Sequence, residues 1–401
     1  MMNVKWTRRD FPILETGVAY MDNAASSLTP EPVLSKMMEF YHEYRSNVER
    51  GVHRLEQRAG EEYEKSRIKI SNFINTKSSD EVIMTKNTSE GINLVASGLK
   101  WHRGDKIVTT SLEHHSNFIV WLRVKERYGI DLQVIKPSKE GKFSLSDFEE
   151  AVDEKTRLVA MSHVSNVFGG ISPVKEVAEL AHEHGALMLV DGAQSVPHMS
   201  VDVQKLGCDF LAFSGHKMCG PTGSGVLFIR KETQEEVEPL CIGGGTVDDV
   251  GLDYYRLVEG PKRFEAGTPA IAEVIGLGAA IDYLGQIGMR TIEEYERQLT
   301  IKLWSGLSEI PRIEVYGPSS EDRVGIVSFN LGSLSSHDVA IALDIASNVM
   351  VRSGYHCAIP LMKDLLRVPG GVVRASMYFY NTKKEVDRLL SVMAELSSSM
   401  A

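Results

Sequence analysis

Ala186-Leu187-Met188-Leu189-Val190-Asp191-Gly192-Ala193-Gln194 is an apolar run that stops on a carboxylate. Five apolar side chains in a row suit a strand buried on both faces, and the acid at its end then stands at the mouth of a sheet. Working outward, β-rich runs recur at Val82–Thr85, Lys106–Thr110, Leu132–Ile135, Arg157–His163 and Cys208–Ser214. Helix-like stretches lie between them at Gly91–Leu99, Phe118–Tyr128 and Val174–His184. This alternation predicts βαβ units and an α/β fold with a mainly parallel, doubly wound sheet. Gly225–Arg230, after the turn Gly220-Pro221-Thr222-Gly223, is a candidate hairpin partner.

Further on, Pro269–Leu284 predicts a long helix that leads to Gly285 and Gly288, then a charged helix from Arg290 to about Leu307. The order then becomes β, β, α, β, loop, β, α over Arg312–Val315, Gly325–Asn330, His337–Ala346, Asn348–Arg352, Gly371–Ser376 and Lys383–Leu396. We therefore expect a large domain over 16–286 and a smaller α+β C-terminal domain over 287–401, with the segment 1–15 packing on the latter. A chain of 401 residues is long enough for two such cores.

Composition narrows the function classes. The formal charge is −10, from 54 acidic against 44 basic side chains, which argues against nucleic acid or anionic membranes as partners. The longest apolar runs are strand-sized, so no membrane span is expected. Lys5, Arg8 and Arg9 have no apolar stretch behind them, unlike a secretory signal. The four cysteines, Cys208, Cys219, Cys241 and Cys357, form no C-x-x-C pair. They make neither a zinc site nor a disulfide framework, so no metal is expected, and a cytoplasmic location fits.

Ligands of α/β sheets sit at the carboxyl ends of strands. Asp191 closes one run there, and Ser214-Gly215-His216-Lys217 closes another. A buried Asp and a Lys converging on one cleft are what a pyridine cofactor needs: the Lys carries it covalently, and the Asp keeps the ring nitrogen protonated so that the ring accepts electrons. The bland alternative is a strand-end acid and a surface Lys with no relation.

On these residues the chain resembles the pyridoxal-phosphate (PLP) dependent cysteine desulfurases of the class-V aminotransferase group, from about Tyr20 to Thr382. The resemblance implies a PLP-transferase fold of type I. In Glu113-His114-His115-Ser116-Asn117 it implies that His114 stacks on the cofactor ring and moves protons. Adjacent histidines point to different sides, so joint metal ligation is disfavoured. Asn87-Thr88-Ser89-Glu90 precedes a helix, where hydroxyls and free amides make either a phosphate site or a plain N-cap. The resemblance assigns Thr88, Ser214 and His216 to the cofactor phosphate, with Ser89 beside them, and Gln194 to the ring hydroxyl. Asn166 falls near the cofactor and the substrate carboxylate. Thr268, in Arg263–Pro269, matches a residue that reaches the phosphate of a neighbouring subunit, which implies a homodimer.

The discriminating segment is Arg352-Ser353-Gly354-Tyr355-His356-Cys357-Ala358-Ile359-Pro360. A cysteine in a Gly-containing loop near positive charge favours a nucleophilic thiolate, although a lone cysteine is more often a small core residue. Arg374, after the last β-run, suits capture of an α-carboxylate rather than a surface ion pair. Arg352, and His53 in Arg50-Gly51-Val52-His53, are further substrate-side candidates. Cys208 reads as core, and Cys219 and Cys241 as structural. The resemblance then implies that L-cysteine becomes L-alanine, with its sulfur transferred to Cys357 as a persulfide. An acceptor protein takes it onward for iron–sulfur cluster or other sulfur-cofactor assembly. Only Ser353 to His356 separate Cys357 from Arg352, a short loop that resembles the SufS-like branch.

The sequence also departs from the family pattern. Tyr355 stands where relatives often have a second His, Cys219 where a Tyr is common after the cofactor Lys, and Lys86-Asn87 where a Gly is frequent; Glu49 precedes the retained Arg50. Rival readings are a selenocysteine lyase, an epimerase or a kynureninase-like hydrolase of the same fold, or a non-catalytic PLP-fold scaffold. A nucleotide-binding α/β protein is disfavoured, since there is no GxxxxGK[ST] motif and no GxGxxG follows a strand and opens a helix.

Overall fold

Side chains that alternate along each strand build both faces of the central sheet in the computed structural model, which describes residues 4–48 and 51–400. Ile83, Ile107, Leu158, Leu189, Phe210 and Leu227 point to one face, where Ile92, Val95 and Trp121 cover them. Val82, Val108, Val159, Met188, Leu211 and Val226 point to the other, against Val177, Ala178, Ile275 and Leu277. Nearly all are fully buried. At roughly 1.5–3 kcal/mol for each buried aliphatic side chain, these two layers dominate the stability of the fold.

The sheet has seven strands, in the order Val82–Thr85, Gly225–Ile229, Phe210–Ser214, Leu187–Asp191, Thr156–Ser162, Lys106–Thr110 and Asp131–Ile135. Pairing is parallel between neighbours from 210–214 through 131–135, and only Gly225–Ile229 runs against its two neighbours. That strand is the hairpin partner expected after the Gly/Pro turn. The doubly wound α/β reading therefore holds, with element ends displaced by one to three residues, as fraying ends allow.

A second sheet of four antiparallel strands, in the order Ile313–Tyr316, Ile326–Leu331, Val372–Ser376 and Arg352–Gly354, lies after the long helices Ile271–Ile287 and Met289–Glu309. The first of these helices runs through Gly285. The two meet at 73° about Gly288, whose φ of +87° is open to glycine at little cost. Among the described residues no single helix is long and apolar enough to cross a membrane. The second sheet packs on Leu299, Leu303, Val339, Leu343, Val386 and Leu389.

Three features differ from the sequence reading. The run 348–352 is two strands: Val349–Met350 pairs in parallel with Ala19–Tyr20, whereas Arg352–Gly354 joins the four-stranded sheet. A continuous β-rich run does not reveal which neighbour each part pairs with. Helices Glu31–Glu43 and Arg54–Phe73 went unread; they pack on Ile271–Ile287. The hairpin Val247–Val250 with Tyr255–Leu257 is likewise new. Near the N-terminus, Arg8 pairs with Glu385 at 2.9 Å, Asp10 accepts from Tyr283 Oη at 2.8 Å, and the Phe11 ring packs among Tyr283, Phe379 and Tyr380.

Candidate active site

The carboxyl ends of the central strands open into a cavity of about 300 Å³. Thr88, Ser89, His114, Asn166, Asp191, Gln194, Ser214, His216, Lys217, Arg352, Cys357 and Arg374 all line it, twelve candidates spread over 287 positions of the chain. A larger cavity of about 720 Å³ lies elsewhere, among Lys36, Glu62, Lys69 and Asp282. Chemistry rather than volume marks the smaller one as the site.

On one side, helix Thr88–Gly98 starts at the cavity with Asn87 as its cap, the Asn87 Oδ1 accepting from Glu90 N at 3.0 Å. Thr88 N–H donates to Ser214 Oγ at 2.8 Å, the two hydroxyls lie 2.7 Å apart, and Ser89 Oγ meets Ser116 Oγ at 2.6 Å. Cap and anion cradle thus coincide, as both readings of Asn87–Glu90 allow. The turn after Ser214 is tight: a Cβ on Gly215 would come within 2.2 Å of Ser224 Oγ.

On the floor, Asp191 Oδ1 accepts from Ala193 N–H at 2.9 Å, and burial pushes the carboxyl above its usual range. Burial lowers the Lys217 ammonium to about 8, against the pull of Asp191. His114 Nδ1 accepts from Ser116 N–H at 3.1 Å, which leaves the proton on Nε2. Burial and then the Lys217 charge hold that ring neutral, with its pKa down to about 3. Gln194 Nε2 donates to Ala24 O at 2.7 Å.

On the remaining side the cysteine loop is pinned from below. Asn166 Nδ2 donates to His356 O at 2.7 Å, His115 N–H to Cys357 O at 2.7 Å, and Ile359 N–H to His115 Nε2 at 3.1 Å. Cys357 itself is exposed, on a backbone with φ of +57° beside His356 at +50°. Left-handed backbone at two adjacent non-glycine residues is costly, the kind of strain that persists where the surrounding structure fixes a loop. Arg374 is buried, its Nη1 donating to Asn166 O at 3.0 Å.

Four buried polar atoms of lining residues have no partner: Gln194 Oε1, Asn166 Oδ1, His356 Nδ1 and Arg374 Nε. Buried polar atoms are ordinarily satisfied, so a polar ligand is wanted here. A buried acid, a Lys of lowered pKa and a hydroxyl-rich helix start together fit pyridoxal phosphate.

The chain matches the aminotransferase class-V family over residues 19–389. Proteins named probable cysteine desulfurase are similar along almost its whole length: one from Pyrococcus abyssi is 50% identical over 98% of this chain and 97% of its own. One from Methanothermobacter thermautotrophicus is 47% identical over 99% and 98%. This chain belongs to the cysteine desulfurases of the class-V aminotransferase family. Among solved structures, a cysteine desulfurase from Thermococcus onnurineus superposes with a TM-score of 0.96 at 49% identity, covering 100% of this chain and 99% of the other. The cysteine desulfurase CsdA of Escherichia coli gives 0.92 at 32%, with the same coverage. The fold is accordingly the PLP-transferase fold.

The structure also corrects parts of the site reading for this desulfurase. His356 does not supply positive charge to Cys357: burial and then the Arg374 charge take its pKa down to about 3, and its Nε2–H donates to Val372 O at 3.0 Å. The cationic groups at the cavity are Arg352, Arg374 and Lys217. His53 does not line this cavity within one chain, and nor does Thr268, whose expected role concerns the phosphate of a neighbouring subunit rather than this one. His53 caps helix Arg54–Phe73, Nδ1 accepting from Glu56 N–H at 3.3 Å, while Thr268 borders a separate cleft with exposed Cys241. Glu49 and Arg50 lie outside the described residues. Cys208 and Cys219 are buried, Cys219 with a φ of +64°, so only the former two of the three supposed structural cysteines pack inside.

Asp22 escaped the sequence reading. It pairs with both Arg374, at 3.1 Å, and Arg352, at 3.5 Å. Its signal was present, because Ala19-Tyr20-Met21-Asp22 also ends an apolar run on an acid. Glu113 was missed as well. It is buried under Thr110, Asn117 and Ser162, each donating at 2.6 Å, and burial raises its pKa to about 7.

Proposed function

We propose that this protein takes sulfur from L-cysteine, releases L-alanine and leaves a persulfide on Cys357. The observation that carries this reading is one cavity lined by Lys217, Asp191 and Arg374 together with the exposed thiol of Cys357. Asp191, Gln194 and His114 would hold the ring of pyridoxal phosphate, and Thr88, Ser89, Ser214 and His216 its phosphate. When bound, the cofactor supplies an electron sink for the pair released at the α-carbon.

Arg374 receives the substrate carboxylate on its open Nε edge, with the free Asn166 Oδ1 beside it for the polar hydrogens of the substrate. Lys217 Nζ, with a pKa near 8, is neutral in an appreciable fraction close to neutral pH and accepts the α-proton. Cys357 Sγ, as thiolate, attacks the substrate sulfur. The S–S bond forms as the Cβ–S bond breaks, and the electron pair leaves with Cβ. Two protons complete alanine: the one Cys357 gave up on becoming thiolate and the one Lys217 Nζ took from the α-carbon, so that Cβ becomes a methyl group and the α-carbon regains its hydrogen. His114, neutral and fixed by Ser116, orients the ring and offers its Nε2 proton rather than a full positive charge.

The exposed thiol suits transfer of the sulfur to an acceptor protein. A homodimer is part of the same proposal. Leu34, Met38 and Tyr41 form an exposed stripe on one helix, and Val250, Leu252, Tyr254 and Tyr255 project from the hairpin 247–257. Exposed apolar surface of this kind favours a covering partner.

Alanine formation from L-cysteine under excess reductant tests the reading, with the intact protein beside Cys357→Ala. The intact protein is expected to form alanine and the variant to lose at least a hundredfold in rate. Equal rates would remove Cys357 as the nucleophile and leave a lyase acting without a protein persulfide.

A further inference from the structure

His114 and Ser116 line the cavity, whereas His115 between them does not, and its ring reaches the cysteine loop instead. His115 holds that loop at two points. Its N–H donates to Cys357 O at 2.7 Å, and its ring Nε2 accepts from Ile359 N–H at 3.1 Å. One residue thus grips the peptide units before and after Ala358, which is buried in one cluster with Leu112, Leu361 and Met362. A neutral ring that accepts through Nε2 carries its proton on Nδ1, the opposite tautomer to His114, which accepts through Nδ1. Burial lowers the His115 pKa and so favours the neutral ring that this bond requires.

The grip matters because the loop is strained. His356 and Cys357 hold φ of +50° and +57°, a backbone that such residues keep only where surrounding contacts over-determine it. The other end of the grip is anchored to the central sheet. Glu113 is buried and accepts from Thr110 Oγ1, Asn117 Nδ2 and Ser162 Oγ at 2.6 Å each. Thr110 and Ser162 are the last residues of strands Lys106–Thr110 and Thr156–Ser162. The same short segment therefore presents one imidazole to the cavity and holds the loop of the thiol with the next.

We propose that His115 is a positioning residue for the Cys357 thiol: its imidazole, as acceptor of the Ile359 amide, keeps the strained loop in the conformation from which the thiolate reaches the substrate sulfur. The inference rests on Cys357 being the nucleophile of the proposed function.

His115 is half-buried and outside the cavity, so its substitution is compatible with folding. Asn and Gln carry the same amide, but only Gln extends its oxygen as far from Cβ as the Nε2 of histidine. In the cofactor-loaded full chain, His115→Ala and His115→Asn are expected to speed hydrogen exchange of the peptide containing Ile359 about tenfold, as loss of one hydrogen bond implies. They are also expected to lower kcat for alanine formation about tenfold, with KM for L-cysteine within about threefold, because Arg374 holds the carboxylate from another strand. His115→Gln is expected to keep exchange and kcat within about twofold of the unmodified protein. A residue needed only for packing would leave all three variants impaired alike, with kcat and KM moving together, and that result overturns the proposal. An exchange rate or a kcat within about twofold of the unmodified protein in His115→Asn overturns it too. If His115→Ala does not fold, the Asn and Gln variants decide the question alone. Failure of the unmodified protein to form alanine from L-cysteine would instead strike the proposed function, and hydrogen exchange, which needs no turnover, separates the two.

Discussion

Cys357 and His356 share an unusual stretch of backbone, and the side chains around them show what it costs to build such a site. Four imidazoles are held neutral by burial: His114 and His356 with pKa values near 3, His163 and His216 near 4. In the unfolded chain each takes up its proton near 6.5, so between about 4 and 6.5 the unfolded state binds more protons and stability falls as pH falls. Glu113, raised to about 7, and the buried acids Asp191 and Glu296, also raised, act in the opposite sense. The four imidazoles outnumber these three acids. The urea midpoint of the cofactor-free protein is therefore expected to drop as pH is lowered from 6.5 to 4. His356→Gln should remove one imidazole's share of that slope, about 1.4 kcal/mol per pH unit. A midpoint that is flat across this range would contradict the assignment.

At the scale of elements, the cysteine loop depends on two backbones that pass almost in contact. Gly371 has a φ of +71°, and a Cβ there would lie 2.3 Å from the carbonyl carbon of Gly354. Gly354 ends the strand that feeds the loop, three residues before Cys357, and pairs with Val372. Gly371→Ala cannot be absorbed by a side-chain rotation, because the obstacle is main chain. We expect a loss of about 2–3 kcal/mol in denaturant unfolding, from the left-handed φ and the clash together. Alanine formation should slow at least tenfold, because the loop carrying the thiol is displaced. Unchanged stability together with an unchanged rate would show that the approach of these strands is not needed.

At the scale of the molecule, surfaces on several elements remain apolar and open. Leu252 is fully exposed at the tip of its hairpin, and the Leu34, Met38 and Tyr41 stripe lies on a helix bordering the same cleft as Thr268. Burial of such surface is worth roughly 25 cal/mol per Å², enough to favour association once several such side chains are covered together. Sedimentation is expected to report a dimer for the unmodified protein. Leu252→Asp combined with Tyr255→Asp should shift it measurably toward monomer. A monomer at every concentration would remove the homodimer from the proposed function.

The sequence by itself determined the architecture of the central sheet and most of the chemistry. Buried strands read as unbroken apolar runs, and an acid or Lys at the end of such a run is legible because burial there is chemically improbable without a use. Asp191, Lys217 and the Ser214 turn were visible for that reason, and Cys357 through its loop. Pairings across hundreds of residues were not visible. The split of 348–352 between two sheets, the bridge from Asp22 to Arg374 across 352 positions, and the neutral state of His356 arise only when distant segments exclude water from one another. Local pattern reports which side chains want burial. Only the tertiary structure decides which charges then share the same dry space, and so which of them remain charged.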